Sequence, residues 1–209
     1  RPIATLLTQV VVDRNDPAFG DPTKFVGPVY DHEQAQAIAS ANGWHIAQDG
    51  AKWRRVVASP APMEIPDTRV IQLLLDAGVV VICTGGGGIP VIRQHDGSLI
   101  GIEAVVDKDA SSALLARSLG ADVLLLLTDV DGVYQDFGSD TAMKRPWLSP
   151  KDALRFDAPA GSMAPKLEAA AAFTSAGGLA GIGRLQDAIE IMDGNAGTQV
   201  SNEIGGNAQ

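Results

Sequence analysis

The sequence predicts an α/β protein whose strands form a layered sheet with helices packed against it. Strand-forming and helix-forming segments alternate through the second half of the 209-residue chain. Residues 123–127 form an apolar strand without polar alternation, as expected of a parallel strand that is covered on both faces. Polar and glycine-rich segments follow several strand ends, where α/β sheets bind their ligands. These observations predict a ligand site at the carboxyl ends of the strands.

The first half of the chain is predicted to begin with a strand and to contain an irregular segment, two helices and a hairpin. Asp31 is placed to cap the first helix, and Asp49-Gly50 suits a tight hairpin turn. The second helix carries an apolar face, made of Val70, Ile71, Leu74 and Leu75. The predicted elements are a strand at residues 3–12, an irregular segment at 13–28, a helix at 31–41, hairpin strands at 44–46 and 53–58, a helix at 67–77 and a strand at 79–83.

The second half is predicted to alternate helices and strands more regularly. Ser149-Pro150 is a helix-starting pair, and Gly177-Gly178 ends a helix that begins at Gly161 or Ser162. The predicted elements are helices at residues 107–119, 149–156, 162–176 and 185–192, strands at 123–127, 179–182 and 198–200, and a polar tail at 201–209.

The composition excludes several classes of protein. Hydrophobic residues make up 45% of the chain and charged residues 20%, as in a globular protein of one large or two small domains. No apolar run approaches the ~18 residues of a membrane span. The one cysteine, Cys83, excludes a disulfide framework and suits a reducing compartment. The net charge of −9 argues against a general binder of nucleic acid or anionic membranes. We expect a cytoplasmic protein.

Four consecutive glycines, Gly85, Gly86, Gly87 and Gly88, follow Thr84 at the end of a predicted strand. Glycines with positive φ can turn several N–H groups toward an anion. The alternative is a flexible turn, but four glycines would lose much conformational entropy there, so a ligand-binding loop is favoured. The segment has neither the Gly-Lys-Ser/Thr ending of a Walker A loop nor the spacing of a dinucleotide-binding loop.

Lys108 lies between Asp107 and Asp109 at a predicted helix start. The acids suit the positive end of the helix dipole, whereas a cation there is mildly unfavourable. A lysine held by two carboxylates can present its ammonium to a phosphate, and a surface ion pair explains the pattern equally well. Lys24 and Lys166, each taken singly, are better explained as solvated lysines.

Residues 128–134 follow the most apolar strand. An Asp-Gly turn at a polar strand end explains this segment. The alternative is the edge of a nucleotide site, with Thr128 and Asp129 for a sugar or a metal-bound phosphate and Tyr134 for the base. Cys83 is interpreted as a small buried hydrophobic residue. The histidines and Cys83 lack metal-ligand spacing, and the sequence has no Gly-x-Ser-x-Gly segment of a hydrolase.

Several segments form one specific pattern when they are considered together. They are Asp16-Pro17-Ala18-Phe19 with Pro22-Thr23-Lys24 and Gly27-Pro28, residues 85–90, 103–109, 128–134 and 161–166, and Gly183-Arg184-Leu185. Their order and spacing resemble those of the carbamate kinases, which belong to the amino acid kinase family. The resemblance implies a three-layer αβα sandwich with a mostly parallel open sheet in a partial domain at residues 1–200. It also implies a protruding lobe at about residues 13–58.

The resemblance implies reversible phosphoryl transfer between ATP and carbamate, which gives ADP and carbamoyl phosphate and often serves ATP synthesis, as in arginine fermentation. Lys108 and Lys166 would flank the transferred group, and Asp109 would hold them by ion pairing. Lys24 would close over carbamoyl phosphate. The four glycines would lie near the nucleotide phosphates, whose oxygens would carry most of the Mg²⁺ coordination. The residues expected to border the nucleoside are Thr128, Asp129, Tyr134 and Met163. A homodimer is also implied.

Parts of the family pattern have no counterpart in the sequence. A strand with a Gly-Gly-Asn loop and a His-Gly-Asn-Gly-Pro-Gln segment would precede Ile3, so roughly a third of the family chain is missing. We therefore expect the 209-residue chain alone to be inactive. Gly205-Gly206-Asn207-Ala208 repeats the letters of the first motif, for which a chance match is favoured over a circular permutation, and Phe25 replaces the family's usual proline. The alternatives are another amino acid kinase that acts on a carboxylate and a non-catalytic nucleotide-binding protein.

Overall fold

Helices and strands alternate along the chain, so the predicted α/β class is confirmed. A computed structural model describes residues 1–158 and 162–203, which contain six helices and fifteen strands. Residues 159–161 and 204–209, which include Gly161 and the Gly205–Ala208 motif, lie outside the described residues. The chain folds as two units, Arg1–Lys108 and Asp109–Gln209.

The strands of the first unit pair in three sheets within the described part of the chain. These are a parallel pair β1-β7, a mixed sheet in the order β6-β2-β8-β9 and an antiparallel sheet in the order β3-β5-β4. The elements are β1 (Ile3–Thr5), β2 (Gln9–Val12), β3 (Lys24–Tyr30), α1 (His32–Asn42), β4 (His45–Asp49), β5 (Lys52–Val57), β6 (Pro62–Glu64), α2 (Thr68–Asp76), β7 (Val80–Ile82), β8 (Ile89–Arg93) and β9 (Leu99–Gly101).

Two predictions for the first unit are wrong. The single strand expected at residues 3–12 is two strands, because β1 pairs with β7 whereas β2 pairs with β6 and β8. The segment expected to be irregular as far as Pro28 already enters β3 at Lys24. An irregularity in the pairing between Val26 and Val29 accommodates Gly27, whose φ is +70°, and Pro28 within that strand. The strands β6, β8 and β9 were not predicted.

Local sequence signals correctly predict the elements between β3 and β6. The Asp31 carboxylate accepts a hydrogen bond from the backbone N–H of Gln34, at 2.9 Å, and thereby caps α1. The left-handed conformation of Gly43, with a φ of +67°, ends that helix. The expected hairpin is formed by β4 and β5, which pair from His45 with Val56 to Asp49 with Lys52.

The apolar face predicted for α2 is only partly buried. Ile71 is buried, whereas Val70 and Leu75 are exposed. Exposed apolar residues also occur on the neighbouring strands, with Ile3 on β1 and Ile82 on β7. The periodicity identified the helix correctly, but it overestimated how much of that helix is covered, because periodicity cannot report which faces meet a partner.

The second unit is built around a four-stranded sheet in the order β10-β14-β15-β13, with a separate antiparallel pair β11-β12 among the described residues. Its elements are α3 (Lys108–Ser118, whose first residue belongs to the first unit), β10 (Val123–Thr128), β11 (Val133–Gln135), β12 (Met143–Arg145), β13 (Trp147–Leu148), α4 (Pro150–Arg155), α5 (Met163–Thr174), β14 (Leu179–Arg184), α6 (Ala188–Met192) and β15 (Thr198–Val200). In residues 1–158 and 162–203, no helix has both the length and the apolar character needed to cross a membrane.

The core of the second unit lies between this sheet and α5. Leu124 and Leu126 of β10 pack with Leu167 and Phe173 of α5. On β14, a side chain at Gly181 would collide with Ile191 of α6, so the glycine permits that close packing. The predicted parallel strand at residues 123–127 is confirmed as β10, which pairs in parallel with β14. The core thus holds β10 and α5, at whose ends several candidate residues lie.

Candidate functional site

Lys24 and Asp107 form an ion pair in the first unit. Lys24 is the first residue of β3, and its Nζ lies 2.7 Å from Asp107 Oδ2. The two side chains are 35% and 19% exposed, so the pair is accessible to solvent. The predicted candidate Lys24 is therefore held next to the start of α3, whose first residue, Lys108, is exposed.

The four glycines form a tight turn between β7 and β8. Gly86, Gly87 and Gly88 have φ values of +67°, +102° and +87°. A side chain at Gly87 would collide with the carbonyl oxygen of Val106, and one at Gly88 would collide with the side chain of Val10. Two of the glycines are therefore required by packing inside the unit. The proposed contact of this loop with phosphates stays a prediction.

Thr8 holds this loop in place, a role that was not predicted from the sequence. Its Oγ1 accepts a hydrogen bond from the backbone N–H of Thr84, at 2.9 Å. Thr84 has a φ of +52°, an uncommon conformation for a residue with a side chain. Both threonines are buried, and 76 residues separate them in the chain. The only available signal was a polar residue within an apolar strand pattern.

Asp109 and Lys166 form a buried ion pair in the second unit. Lys166 Nζ donates a hydrogen bond to Asp109 Oδ2 at 2.9 Å. Asp109 lies in the first turn of α3, and Lys166 lies near the start of α5. The side chains are only 9% and 8% exposed. Because an isolated charge at such a position is strongly unfavourable, each residue depends on the other.

The remaining candidates of the second unit line one cavity. Its volume is about 440 Å³, within the ~300–1,000 Å³ range of small-molecule sites. The predicted residues that line it are Thr128, Asp129, Tyr134 and Met163. The sequence interpretation missed the aromatic rings of Phe137 and Phe156 and the carboxylates of Asp136 and Asp157. An aromatic and acidic lining of this kind suits a planar ring that carries hydrogen-bond donors.

A polar network links one wall of this cavity to the β11-β12 hairpin. The Tyr134 hydroxyl lies 3.0 Å and 3.2 Å from the two carboxylate oxygens of Asp131, and Lys144 Nζ lies 3.2 Å from Asp131 Oδ2. Burial alone would raise the pKa of Asp131, but the hydrogen bonds from Lys144 and Tyr134 outweigh it and lower that pKa. The hydrogen bond to Asp131 raises the pKa of Tyr134. Asp131 is therefore the acceptor of the tyrosine proton.

The amino acid kinase family model matches residues 28–182 of the chain. The chain belongs to the amino acid kinase family. It is 50% identical over 206 residues to the carbamate kinase of Rhizobium meliloti (strain 1021), an alignment that covers 97% of this chain and 64% of that protein. It is 45% identical over 201 residues to the carbamate kinase of Escherichia coli (strain K12), which covers 96% of this chain and 66% of that protein.

A solved structure agrees with these relatives. The carbamate kinase from Giardia lamblia bound to AMP-PNP superposes with a TM-score of 0.85 at 38% identity, and the match covers 96% of this chain and 65% of that one. The resemblance to carbamate kinases inferred from the sequence is therefore confirmed. The chain spans about two thirds of the length of these relatives.

The Thr8 hydroxyl is predicted to stabilise the glycine loop. Thr8→Val removes the acceptor and leaves the buried Thr84 N–H unpaired, which should lower the free energy of unfolding by ~1–3 kcal/mol. Thr8→Ser retains the hydroxyl and serves as the control. Denaturant unfolding measures the stability, and hydrogen exchange should show faster exchange at residues 84–88 in the valine variant alone. Equal unfolding free energies and equal exchange rates in Thr8→Val and Thr8→Ser would contradict this role of Thr8.

The buried ion pair is predicted to contribute more to the free energy of unfolding than an exposed ion pair does. Asp109→Ala leaves Lys166 charged and uncompensated, and should cost ~3–5 kcal/mol of unfolding free energy. The control is Glu64→Gln, which breaks the exposed pair with Arg93 and should change stability by no more than ~1 kcal/mol. A double variant, Asp109→Ala with Lys166→Met, should recover part of the loss. Similar losses of unfolding free energy in Asp109→Ala and in Glu64→Gln would contradict this prediction.

The Tyr134 hydroxyl is predicted to ionise at a higher pH than it does without Asp131. The chain has two tyrosines, so Tyr30→Phe is introduced first, which leaves Tyr134 as the source of the tyrosinate signal. The titration of this variant is then compared with that of the same variant carrying Asp131→Asn. Its folded pKa is raised, so its contribution to stability is present below pH ~10 and is lost as pH rises through the folded pKa. Tyrosinate absorbance measures the titration. Coincident curves would show that Asp131 does not hold the proton.

Proposed function

We propose that the whole protein is a phosphotransferase that moves a phosphoryl group reversibly between ATP and carbamate, with ADP and carbamoyl phosphate as products. The observation that carries this proposal is the 50% identity to a carbamate kinase over 97% of the chain. The AMP-PNP complex of the Giardia lamblia enzyme supports a nucleotide site in this family. ATP synthesis from carbamoyl phosphate is the proposed direction.

Phosphoryl transfer requires mainly positioning and charge neutralisation from the protein. Lys24, Lys108 and Lys166 are proposed to stabilise the charge of the transferred group. Asp109 is proposed to position Lys166 rather than to act as a base, because its buried carboxylate already accepts a hydrogen bond from that lysine. Lys24 is accessible enough for an anionic substrate to compete with Asp107 for its ammonium.

The nucleotide is proposed to place its phosphates near Gly85–Gly88 and its nucleoside in the cavity lined by Thr128, Asp129, Tyr134 and Met163. The N–H groups of Gly87 and Gly88 donate to the carbonyls of Thr84 and Gly85, at 2.9 Å and 3.2 Å, so the support for this contact is the close approach that a glycine backbone permits. Among residues 1–158 and 162–203, no group of three or more His, Cys, Asp or Glu side chains can hold a metal ion. We propose that Mg²⁺ is carried by the nucleotide phosphates.

We further propose that the protein is a cytoplasmic homodimer that acts in arginine metabolism on small molecules, without a nucleic-acid or membrane partner. The single cysteine suits a reducing compartment, and the net charge of −9 argues against a nucleic-acid or membrane partner. The carbamate kinase relatives support the other points. An acidic protein can bind anionic substrates, because the lysines placed at the site determine the local charge that a phosphate meets.

Replacement of Lys24 is predicted to reduce catalysis without loss of the fold. Lys24→Met removes one charge from the transition state and should lower kcat/KM for carbamoyl phosphate ~10²–10³-fold. Lys52→Met is the matched control, because Lys52 lies exposed on β5 of the same sheet. ATP formation from ADP and carbamoyl phosphate by the whole protein is the measurement.

The reaction in the opposite direction, measured as ADP formation from ATP, separates the proposal from its alternatives. A panel of phosphate acceptors that contains carbamate, glutamate and N-acetylglutamate should give turnover with carbamate alone. Turnover with a carboxylate would indicate another activity of the amino acid kinase family. Nucleotide binding without any turnover in the whole protein would indicate a non-catalytic nucleotide-binding function.

A further inference from the structure

A further cavity lies in the first unit, beside the C-terminal half of β5. Its volume is about 280 Å³, close to the lower limit of the ~300–1,000 Å³ range of small-molecule sites, so it suits a small ligand. None of the described residues that line it is among those that we assign to the transferred phosphoryl group or to the nucleotide. The proposed function therefore leaves this cavity without a role.

An arginine and a glutamate of opposite charge line this cavity and form an ion pair. Arg55 Nη2 contacts Glu103 Oε1, and the two side chains are 25% and 76% exposed. The guanidinium carbon of Arg55 also lies 4.2 Å from the centroid of the Trp44 ring, which belongs to the same lining. This cation–π contact fixes the position of the guanidinium. Arg55 is thus a cation held in the wall of the cavity, whereas its carboxylate partner lies at the surface.

The ion pair uses only part of the hydrogen-bonding capacity of Arg55. A guanidinium has donors on all three nitrogens, in a planar fork that matches a carboxylate. Within residues 1–158 and 162–203, Arg55 donates to protein through Nη2 alone. The adjacent Arg54 differs, because its Nε donates to the Gly27 carbonyl and its Nη1 donates to Asp49. Arg55 therefore retains donors for the carboxylate of a ligand.

The charges of the lining discriminate between classes of small ligand. Arg55 attracts an anion that Glu103 repels, and Glu103 attracts a cation that Arg55 repels. A zwitterion avoids both conflicts, because its carboxylate can accept from Arg55 while its ammonium donates to Glu103. Phe19, Pro22 and Val57 add apolar surface to the same cavity, and this surface suits an apolar side chain.

We propose that this cavity binds a free α-amino acid with an apolar side chain, whose carboxylate bonds to Arg55 and whose ammonium bonds to Glu103. The α-amino acids are the class of small molecule that carries these two charges on one carbon atom. The inference is independent of the proposed phosphotransferase activity, since it uses none of the residues assigned to that activity.

The ion pair also has a purely structural interpretation, in which it only joins β5 to the segment that follows β9. That interpretation predicts a change in stability when the pair is broken, and no binding of amino acids. The proposed site predicts binding that requires both charges of the ligand. Ligand binding therefore distinguishes the two interpretations, and stability does not.

The experiment measures by calorimetry the binding of L-valine, L-leucine, L-isoleucine, L-methionine and L-phenylalanine to the whole protein. At least one of these amino acids should bind with a dissociation constant of ~1 mM or lower. The N-acetyl derivative of the tightest ligand lacks the ammonium, and its α-carboxamide lacks the carboxylate. Each derivative should bind ~10–100-fold more weakly than the amino acid, because a charged group of the protein loses its partner.

Matched variants locate this binding. Arg55→Gln should raise the dissociation constant of the amino acid ~10–100-fold. Arg54→Gln is the control, because Arg54 lies on the same strand and outside the cavity lining, and it should leave the constant unchanged. Glu103→Gln alters a side chain that is 76% exposed, so it tests the site independently of any effect of Arg55→Gln on folding. It should bring the affinities for the amino acid and its N-acetyl derivative close together.

Two results would overturn the inference. One is that none of these amino acids binds to the wild-type protein. The other is that Arg55→Gln and Glu103→Gln both bind the amino acid as tightly as the wild-type protein does. Neither result bears on the proposed phosphotransferase, which is tested separately by ATP formation from ADP and carbamoyl phosphate.

Discussion

The carboxylates on either side of Lys108 each hold one lysine of their own unit in place. Asp107 pairs with Lys24, 83 residues earlier in the chain, and Asp109 pairs with Lys166, 57 residues later. The second pair is buried, and its opposite charges compensate each other. Two of the six lysines are therefore held by acids that Lys108 alone separates in sequence. This segment connects the start of α3 to the lysines proposed to act on the phosphoryl group.

The glycine loop shows how backbone geometry can be fixed without bulky side chains. Gly87 and Gly88 lie so close to Val106 and Val10 that no other residue fits. The strained conformation of Thr84 is held by a hydrogen bond from its N–H to a buried hydroxyl. A turn with these constraints differs from the flexible linker that its composition alone would allow, and its N–H groups have defined directions.

Much of the candidate site could be predicted, because residues at strand and helix ends carry recognisable patterns. Tyr134 and Met163, 29 positions apart in the sequence, line the same cavity as expected for ends of adjacent elements. The partners of the predicted residues could not be predicted. Asp131 and Lys144 reach Tyr134 through the hairpin, and Phe156 reaches the cavity from the end of α4, so their roles depend on packing between elements.

The sequence by itself determined the α/β class, the family pattern and the elements whose signals are local. Asp31 before α1 and Ser149 before α4 cap their helices as predicted, because a cap involves residues within one turn. Only the tertiary structure decided where residues 3–12 divide into two strands, which apolar face of α2 remains exposed and how Thr8 meets Thr84. Those outcomes depend on contacts between residues far apart in the chain, and the energy of such contacts is not encoded in any short segment.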